Sequence, residues 1–293
     1  MRTLSVGGIP GTIALSPGRV WVADRREGGV VGIDRARMRV VVRSPPTGGR
    51  AEGVAASRQA VFVALHTDGG DVRVVRVDPA TGRPRSPAVR VPGGGDDALP
   101  LVADGSDALL GTTRGLSVVG GRPFRLLGTQ HVSAAEDATS DLTGETPAPS
   151  VLALDDPRSA RGIWAAYYTK TARIEFADRS ETSVRGGKSL AVAGRRIYVA
   201  DVYADAVIAY DARTGEERAR RKLPWEPDEL AASPGAVWAA SSDPAELLRL
   251  DPETLAPQGG PIHLGTTADL ALASDAGGVW IAAAEGKLLR VTP

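Results

Sequence analysis

The sequence predicts an all-β, seven-bladed β-propeller, and three observations carry that expectation. A short pattern recurs about seven times along the 293 residues: a small apolar run, a Gly or charged turn, then a strand of the Val-Trp-Val-Ala type. The period is roughly 40 residues of short strands, the mark of units that cannot bury their own faces and must stack on neighbours. The last repeat supplies Leu270 to Ala273, Val279 to Ala284 and Lys287 to Val291 and then stops one strand short, while Thr3-Leu4-Ser5-Val6 is a spare strand at the other end. Pairing the two would complete the last blade with the N-terminal strand and hide two open edges at once.

Within each repeat the first strand is an apolar triplet: Ile13-Ala14-Leu15, Val54-Ala55-Ala56, Leu101-Val102-Ala103, Leu152-Ala153-Leu154, Leu190-Ala191-Val192, Leu230-Ala231-Ala232 and Leu270-Ala271-Leu272. Small side chains suit the crowded strands around a propeller axis. The second strand follows about seven residues later, at Val20-Trp21-Val22-Ala23, Val61-Phe62-Val63-Ala64, Ala108-Leu109-Leu110, Ile163-Trp164-Ala165-Ala166, Ile197-Tyr198-Val199-Ala200, Val237-Trp238-Ala239-Ala240 and Val279-Trp280-Ile281-Ala282. Its aromatic residue is expected to pack between blades. The third strand ends in an Asp turn, as in Asp78-Pro79-Ala80-Thr81-Gly82, Asp211-Ala212-Arg213-Thr214-Gly215 and Asp251-Pro252-Glu253-Thr254. There the carboxylate bonds forward to backbone N–H groups and Gly takes a positive φ. Outer strands are expected to carry alternating charge, Arg35, Arg37 and Arg39 in one and Arg218, Arg220, Arg221 and Lys222 in another, which blocks strand-to-strand aggregation.

Pro10-Gly11-Thr12-Ile13-Ala14-Leu15-Ser16-Pro17-Gly18 followed by Val22-Ala23-Asp24, and Val199-Ala200-Asp201 followed by Asp211 to Gly215, resemble YVTN-type and NHL-type propeller repeats. The resemblance covers nearly the whole chain apart from about 100–185. It implies architecture rather than activity, because such folds host lyases, lactonases, sensors and scaffolds alike. Among propellers, virginiamycin B lyase-like members use channel histidines and a glutamate with Mg²⁺, and gluconolactonase-like members use Asn and carboxylates around a metal. Here His66, His131 and His263 fall at unrelated repeat positions and Asn is absent throughout, so the likeness to both is one of fold only.

Composition narrows the function classes. Lys plus Arg and Asp plus Glu each number 35, so no global field draws the chain to nucleic acid or an anionic membrane. No run approaches the roughly 18 to 20 apolar residues of a membrane helix, and the absence of Cys excludes disulfides and thiol chemistry. Nearly all positive charge is arginine, with Lys only at 170, 188, 222 and 287, a bias that points to a GC-rich, actinobacteria-like genome. The expected organisation is one propeller domain over 1–293, a monomer, with a long loop insert at about 128–150 rich in Ser, Thr, Ala and acid. A chain that opens at the closing strand and stops after the last repeat suggests a domain of a larger extracytoplasmic protein.

Loops that join blades and loops between second and third strands converge on one face above a central funnel, the default binding site of such a ring. Trp225, stiffened by Pro224 and Pro227, is the one tryptophan outside the repeat position and is expected to act as an aromatic anchor there. Tyr167, Tyr168 and Tyr203 would extend that surface, with Arg26, Arg50, His66 and Asp201 as polar contacts. Glu52, Asp97, Asp228, Glu229 and Asp269 each precede a first strand, so several carboxylates could approach the axis and hold Ca²⁺ or Mg²⁺, or pair with nearby arginines. Two functions follow from these residues. One is a sensor or scaffold domain binding a small molecule or protein at the funnel face, and the other is a metal-dependent hydrolase or lyase with a carboxylate-lined channel.

Overall fold

Every residue of Val20-Trp21-Val22-Ala23 is apolar, so a strand here must bury both faces, and that requirement fixes the architecture. The computed structural model describes residues 1–93, 99–130, 151–154, 162–175, 181–266 and 269–293. These form antiparallel sheets and, among the described residues, no helix. The first sheet runs β2 (Pro10–Ser16), β3 (Arg19–Asp24), β4 (Gly29–Asp34) and β5 (Arg39–Arg43) from the inside out. The second contains β6 (Arg50–Ala56), β7 (Val61–His66), β8 (Val72–Val77) and β9 (Val89–Val91), and the third β10 (Leu101–Asp104), β11 (Asp107–Thr112), β12 (Gly115–Gly120) and β13 (Arg125–Gln130). A three-stranded sheet follows, β14 (Val151–Leu154), β15 (Gly162–Glu175) and β16 (Glu181–Gly187). Then come β17 (Leu190–Ala193), β18 (Arg196–Asp201), β19 (Ala206–Asp211) and β20 (Glu217–Lys222), and β21 (Glu229–Ser233), β22 (Ala236–Ser242), β23 (Ala245–Leu250) and β24 (Ile262–His263). The last sheet joins β25 (Leu270–Asp275), β26 (Gly278–Ala283) and β27 (Lys287–Val291) to the N-terminal strand β1 (Arg2–Ser5).

The apolar triplets form the inner strands, each beside the next and β25 beside β2. Where the second strand carries an aromatic residue, alternation sends it to the following sheet. Trp21 shares a core with Val61 and Val63, Phe62 with Ala108 and Leu110, Trp164 with Ile197 and Val199, Tyr198 with Val237 and Ala239, and Trp238 with Val279 and Ile281. Trp280 shares one with Val20 and Val22 of the first sheet, which closes the circuit. Gly32 faces Trp21 across the β3–β4 register, and a Cβ at that position would come within 2.8 Å of the indole, so the ring lies over β4 only because position 32 has no side chain.

Asp turns end the third strands as expected. Asp78 accepts from the N–H of Ala80 at 2.7 Å and of Thr81 at 3.0 Å, and a further hydrogen bond from Arg85 is the main reason its carboxyl is lowered to about 2. Asp211 is likewise lowered to about 2, chiefly by the N–H of Arg213. Two local expectations need correction. Arg35 and Arg37 belong to the turn before β5, where Arg37 pairs with Asp34 at 3.1 Å and Arg35 pairs with Asp275 of the last sheet. Gly128 to Gln130 of the expected insert lie within β13, and 131–150 lie outside the described residues.

β1 pairs with β27 from Arg2 opposite Arg290 to Ser5 opposite Lys287, and the N–H of buried Val6 donates to Gly286 O at 2.8 Å. Removing residues 1–6 exposes the edge of β27 and the core beneath Val6. The truncated chain is expected to lose about 2–4 kcal/mol of stability in urea unfolding, and an unchanged midpoint would contradict the closing role of β1.

Candidate functional site

All the inner strands face a central channel of about 350 Å³. Its wall is mostly Leu, Val, Ile and Ala; most of its polar groups, Thr12, Arg25, Ser189, Glu229 and Asp269, gather where the inner strands begin, while Ser274 lies near the far end of β25. Thr12, Ser189 and Glu229 hold one repeat position, the residue just before the apolar triplet. The Thr12 hydroxyl accepts from the N–H of Val54 at 2.7 Å, and that of Ser189 from the N–H of Leu230 at 3.0 Å, each donor being the first triplet residue of the next sheet. These hydroxyls therefore brace neighbouring inner strands across the gap between sheets.

Glu229 puts a carboxyl where the other two put a hydroxyl. Oε2 accepts from Ser189 Oγ at 3.3 Å, and no ion pair reaches Glu229 among the described residues. Burial pushes its carboxyl up to about 8; the Asp228 charge adds to the shift, and the Ser189 hydrogen bond opposes it. A carboxyl in that state is mostly protonated at neutral pH and can donate as well as accept.

The other carboxylates expected near the axis are engaged elsewhere. Glu52 is the extra residue of a β-bulge between Ala51 and Gly53, a distortion that re-aims its side chain. Its side chain is 1% exposed, with Arg25 Nε at 2.6 Å and Arg50 Nε on the other oxygen. Arg25 Nη1 also lies 3.7 Å from Asp269, whose side chain is 84% exposed, so one guanidinium ties the first, second and last sheets. Asp228 accepts from Lys188, from Ser242 N at 2.7 Å and from Ser242 Oγ at 2.6 Å. Burial works against its charge, yet the Lys188 and Ser242 hydrogen bonds hold its pKa below the usual carboxylate value. Lys188, also bonded to Glu226 at 3.1 Å, is raised despite burial because both carboxylates favour its charged form. Among the described residues no group of three or more His, Asp or Glu side chains is placed to hold a metal; Glu52 with Asp269 and Asp228 belong to two separate ion-pair networks, and Glu229 stands apart from both. Asp97 lies outside the described residues.

The aromatic anchor is corrected as well. Trp225 is 6% exposed in a core with Leu223, Leu230 and Leu248, and its Nε1 donates to Glu246 Oε2 at 3.0 Å, so the ring points inward. Asp201 is buried at the end of β18, 3.9 Å from Arg220, and is no surface contact. Tyr203, by contrast, is 69% exposed in the β18–β19 loop. Arg26 is exposed with its backbone N–H on Asp24 at 3.0 Å, and half-buried His66 faces Arg50 across the β6–β7 register. Tyr167 and Tyr168 lie in β15, and their side chains are outside the described residues. Thr12, Ser189 and Ser242 escaped the sequence reasoning. The repeat did hold a signal for the first two, since both immediately precede an inner triplet.

Two measurements check this geometry. Trp225→Ala is expected to cost roughly 3–5 kcal/mol of stability, whereas an exposed anchor would leave unfolding within about 0.5 kcal/mol of wild type. For Glu229, the folded-state value is raised from an ordinary 4.5, so the native protein holds the proton more tightly than the unfolded chain does. Its contribution is complete below the ordinary value and is lost as pH rises through about 8. Glu229→Gln, neutral throughout, should gain on wild type in urea melts between acid and alkaline pH. Allowing for screening by water in the channel, the gain is on the order of 1 kcal/mol; a pH-independent difference would contradict the shift.

No family model matches the chain, and no curated protein matches it either. Solved structures do. The propeller domain of Cps50 (Swd1) from Myceliophteria thermophila is similar with a TM-score of 0.76 at 13% identity, covering 100% of this chain and 99% of that one. A chain of the mitotic checkpoint complex gives 0.74 at 15% identity, covering 100% and 91%, and U3-55K gives 0.73 at 10%, covering 97% and 91%. These neighbours are WD40-type propellers, and at such identities the likeness shows one thing, that the chain has the β-propeller fold.

Proposed function

We propose that residues 1–293 form a single seven-bladed propeller that serves as a bacterial binding scaffold, recognising a protein partner through the face where the inner strands begin. The unbroken circuit of inner strands around one channel supports seven blades, with the three-stranded sheet as the fourth. The YVTN/NHL-like turns and the Asn-free, Arg-rich composition support the repeat type and the source. The observation that carries the function is Tyr203, a large aromatic side chain 69% exposed on that face. Its loop is set by the N–H of Ala204 on Asp201 O at 3.3 Å and by a φ of 49° at Asp205, so the ring is presented from a defined turn. An exposed tyrosine presented from a defined turn is the kind of residue that forms an interface hot spot. One structural neighbour resides in the mitotic checkpoint complex, and a role within an assembly is carried to this chain as part of the proposal.

Quantitative affinity purification from the source organism tests it with three baits. Tyr203→Ala should reduce recovery of the partner about tenfold, as a hot-spot truncation does. Arg58→Ala, on an exposed hairpin at the opposite face, should leave recovery unchanged. Equal recovery by wild type and Tyr203→Ala, or equal loss in both variants, rejects the assignment of the face.

A further inference from the structure

The channel offers chemistry that a protein partner on the outer face would not use. Its wall is apolar along most of its length, apart from Ser274, and most polar at the end that holds Thr12, Ser189 and Glu229. Its volume of about 350 Å³ lies within the usual span of small-molecule sites. The charged groups around Glu229 are Lys188, Asp228, Asp269, Arg25 and Glu52, and every cation among them is already held: Arg25 by Glu52, and Lys188 by Asp228 and Glu226. Glu229 therefore stands in the wall with a serine hydroxyl as its hydrogen-bond partner and no ion pair among the described residues, although the charge of Lys188 acts on it from nearby. Once ionised, a carboxyl placed in this way is an ion pair lacking one member.

We propose that the central channel binds a small amphipathic amine, with its ammonium group on the Glu229 carboxylate and its apolar stem along the Leu, Val and Ala residues of the inner strands. A primary ammonium brings three donors and a full charge, which satisfies the carboxylate and leaves donors for hydroxyl oxygens such as that of Ser189. A divalent metal ion is a poorer occupant, because it needs several oxygen ligands and no such set exists among the described residues. An anion would meet the carboxylate, and an uncharged alcohol would leave it unpaired. The upward shift of Glu229 agrees with a site whose counter-ion arrives from outside. The site opens toward the same face as Tyr203 but lies inside the ring and uses different residues from the proposed protein-binding surface.

Titration calorimetry with three six-carbon probes tests the proposal on the whole chain near pH 9, where amine and carboxylate are both charged. Hexylammonium should bind at least tenfold more tightly than hexanol, and hexanoate more weakly than either. Glu229→Gln should lower the affinity for hexylammonium at least tenfold while leaving that for hexanol within threefold, with a thermal melt confirming the fold. The probe ranking on wild-type protein stands even if that variant folds poorly. Hexylammonium binding no tighter than hexanol overturns the proposal, as does tight hexanoate binding, no measurable binding of any probe, or a folded Glu229→Gln with undiminished affinity.

Discussion

Among the described residues, each sheet but the one that follows Leu109 is held by an aromatic side chain that belongs to its predecessor. The residue two places into the second strand, tryptophan in four sheets, reaches across the gap and fills a hollow between β-branched and alanine side chains of the next. Trp280 does the same for the first sheet, so the last step supports the first. On the third strand an arginine lies opposite the aromatic ring in several sheets. Arg249 stands over Trp238 with 5.8 Å to the centroid, and Arg290 over Trp280 with 4.9 Å. The arginine stem covers the ring while its guanidinium gains from the ring's negative face. Where β4 has Gly32 in place of arginine, the indole of Trp21 occupies that space itself.

Charge reinforces what the aromatics begin. Arg25 spans three sheets and Lys188 two, and both act at the same level of the ring, just where the inner strands start. Buried and half-buried ion pairs add little net stability, since desolvation offsets most of their attraction, but breaking one leaves a charge stranded and so penalises any other arrangement of the sheets. The hydroxyls of Thr12 and Ser189 do the same without charge. Glu229 is the exception at that level, which is why it reads as chemistry and its neighbours as framework.

Much of the fold was legible because the repeat is periodic in residue type. The Trp positions, the apolar triplets and the Asp turns each follow from one strand's burial pattern, and the closing role of β1 follows from a count of strands. The candidate site was less legible because its partners are not local. Lys188 and Asp228 are 40 residues apart, one full repeat, and occupy equivalent places in successive sheets. A carboxylate before an inner strand therefore looks free until the residue one repeat earlier is placed beside it. Trp225 misled for a related reason. Its flanking prolines show that the loop is stiff, but they carry no information about which way the ring points, and that is decided by Glu246 on β23 and by the hollow between two sheets.

The pairing of β1 with β27 also sets an order in time. Arg2 and Arg290 are neighbours in one ladder although almost the whole chain separates them. Loop-closure entropy makes such a contact late to form, so inner sheets can assemble as each repeat becomes available while the first strand waits. Until the final strand is present, both ends of the arc expose an open sheet edge and an unfilled aromatic seat. The ring therefore gains its closing cooperativity in a single last event, and a chain still being synthesised is an incomplete arc with two adhesive ends.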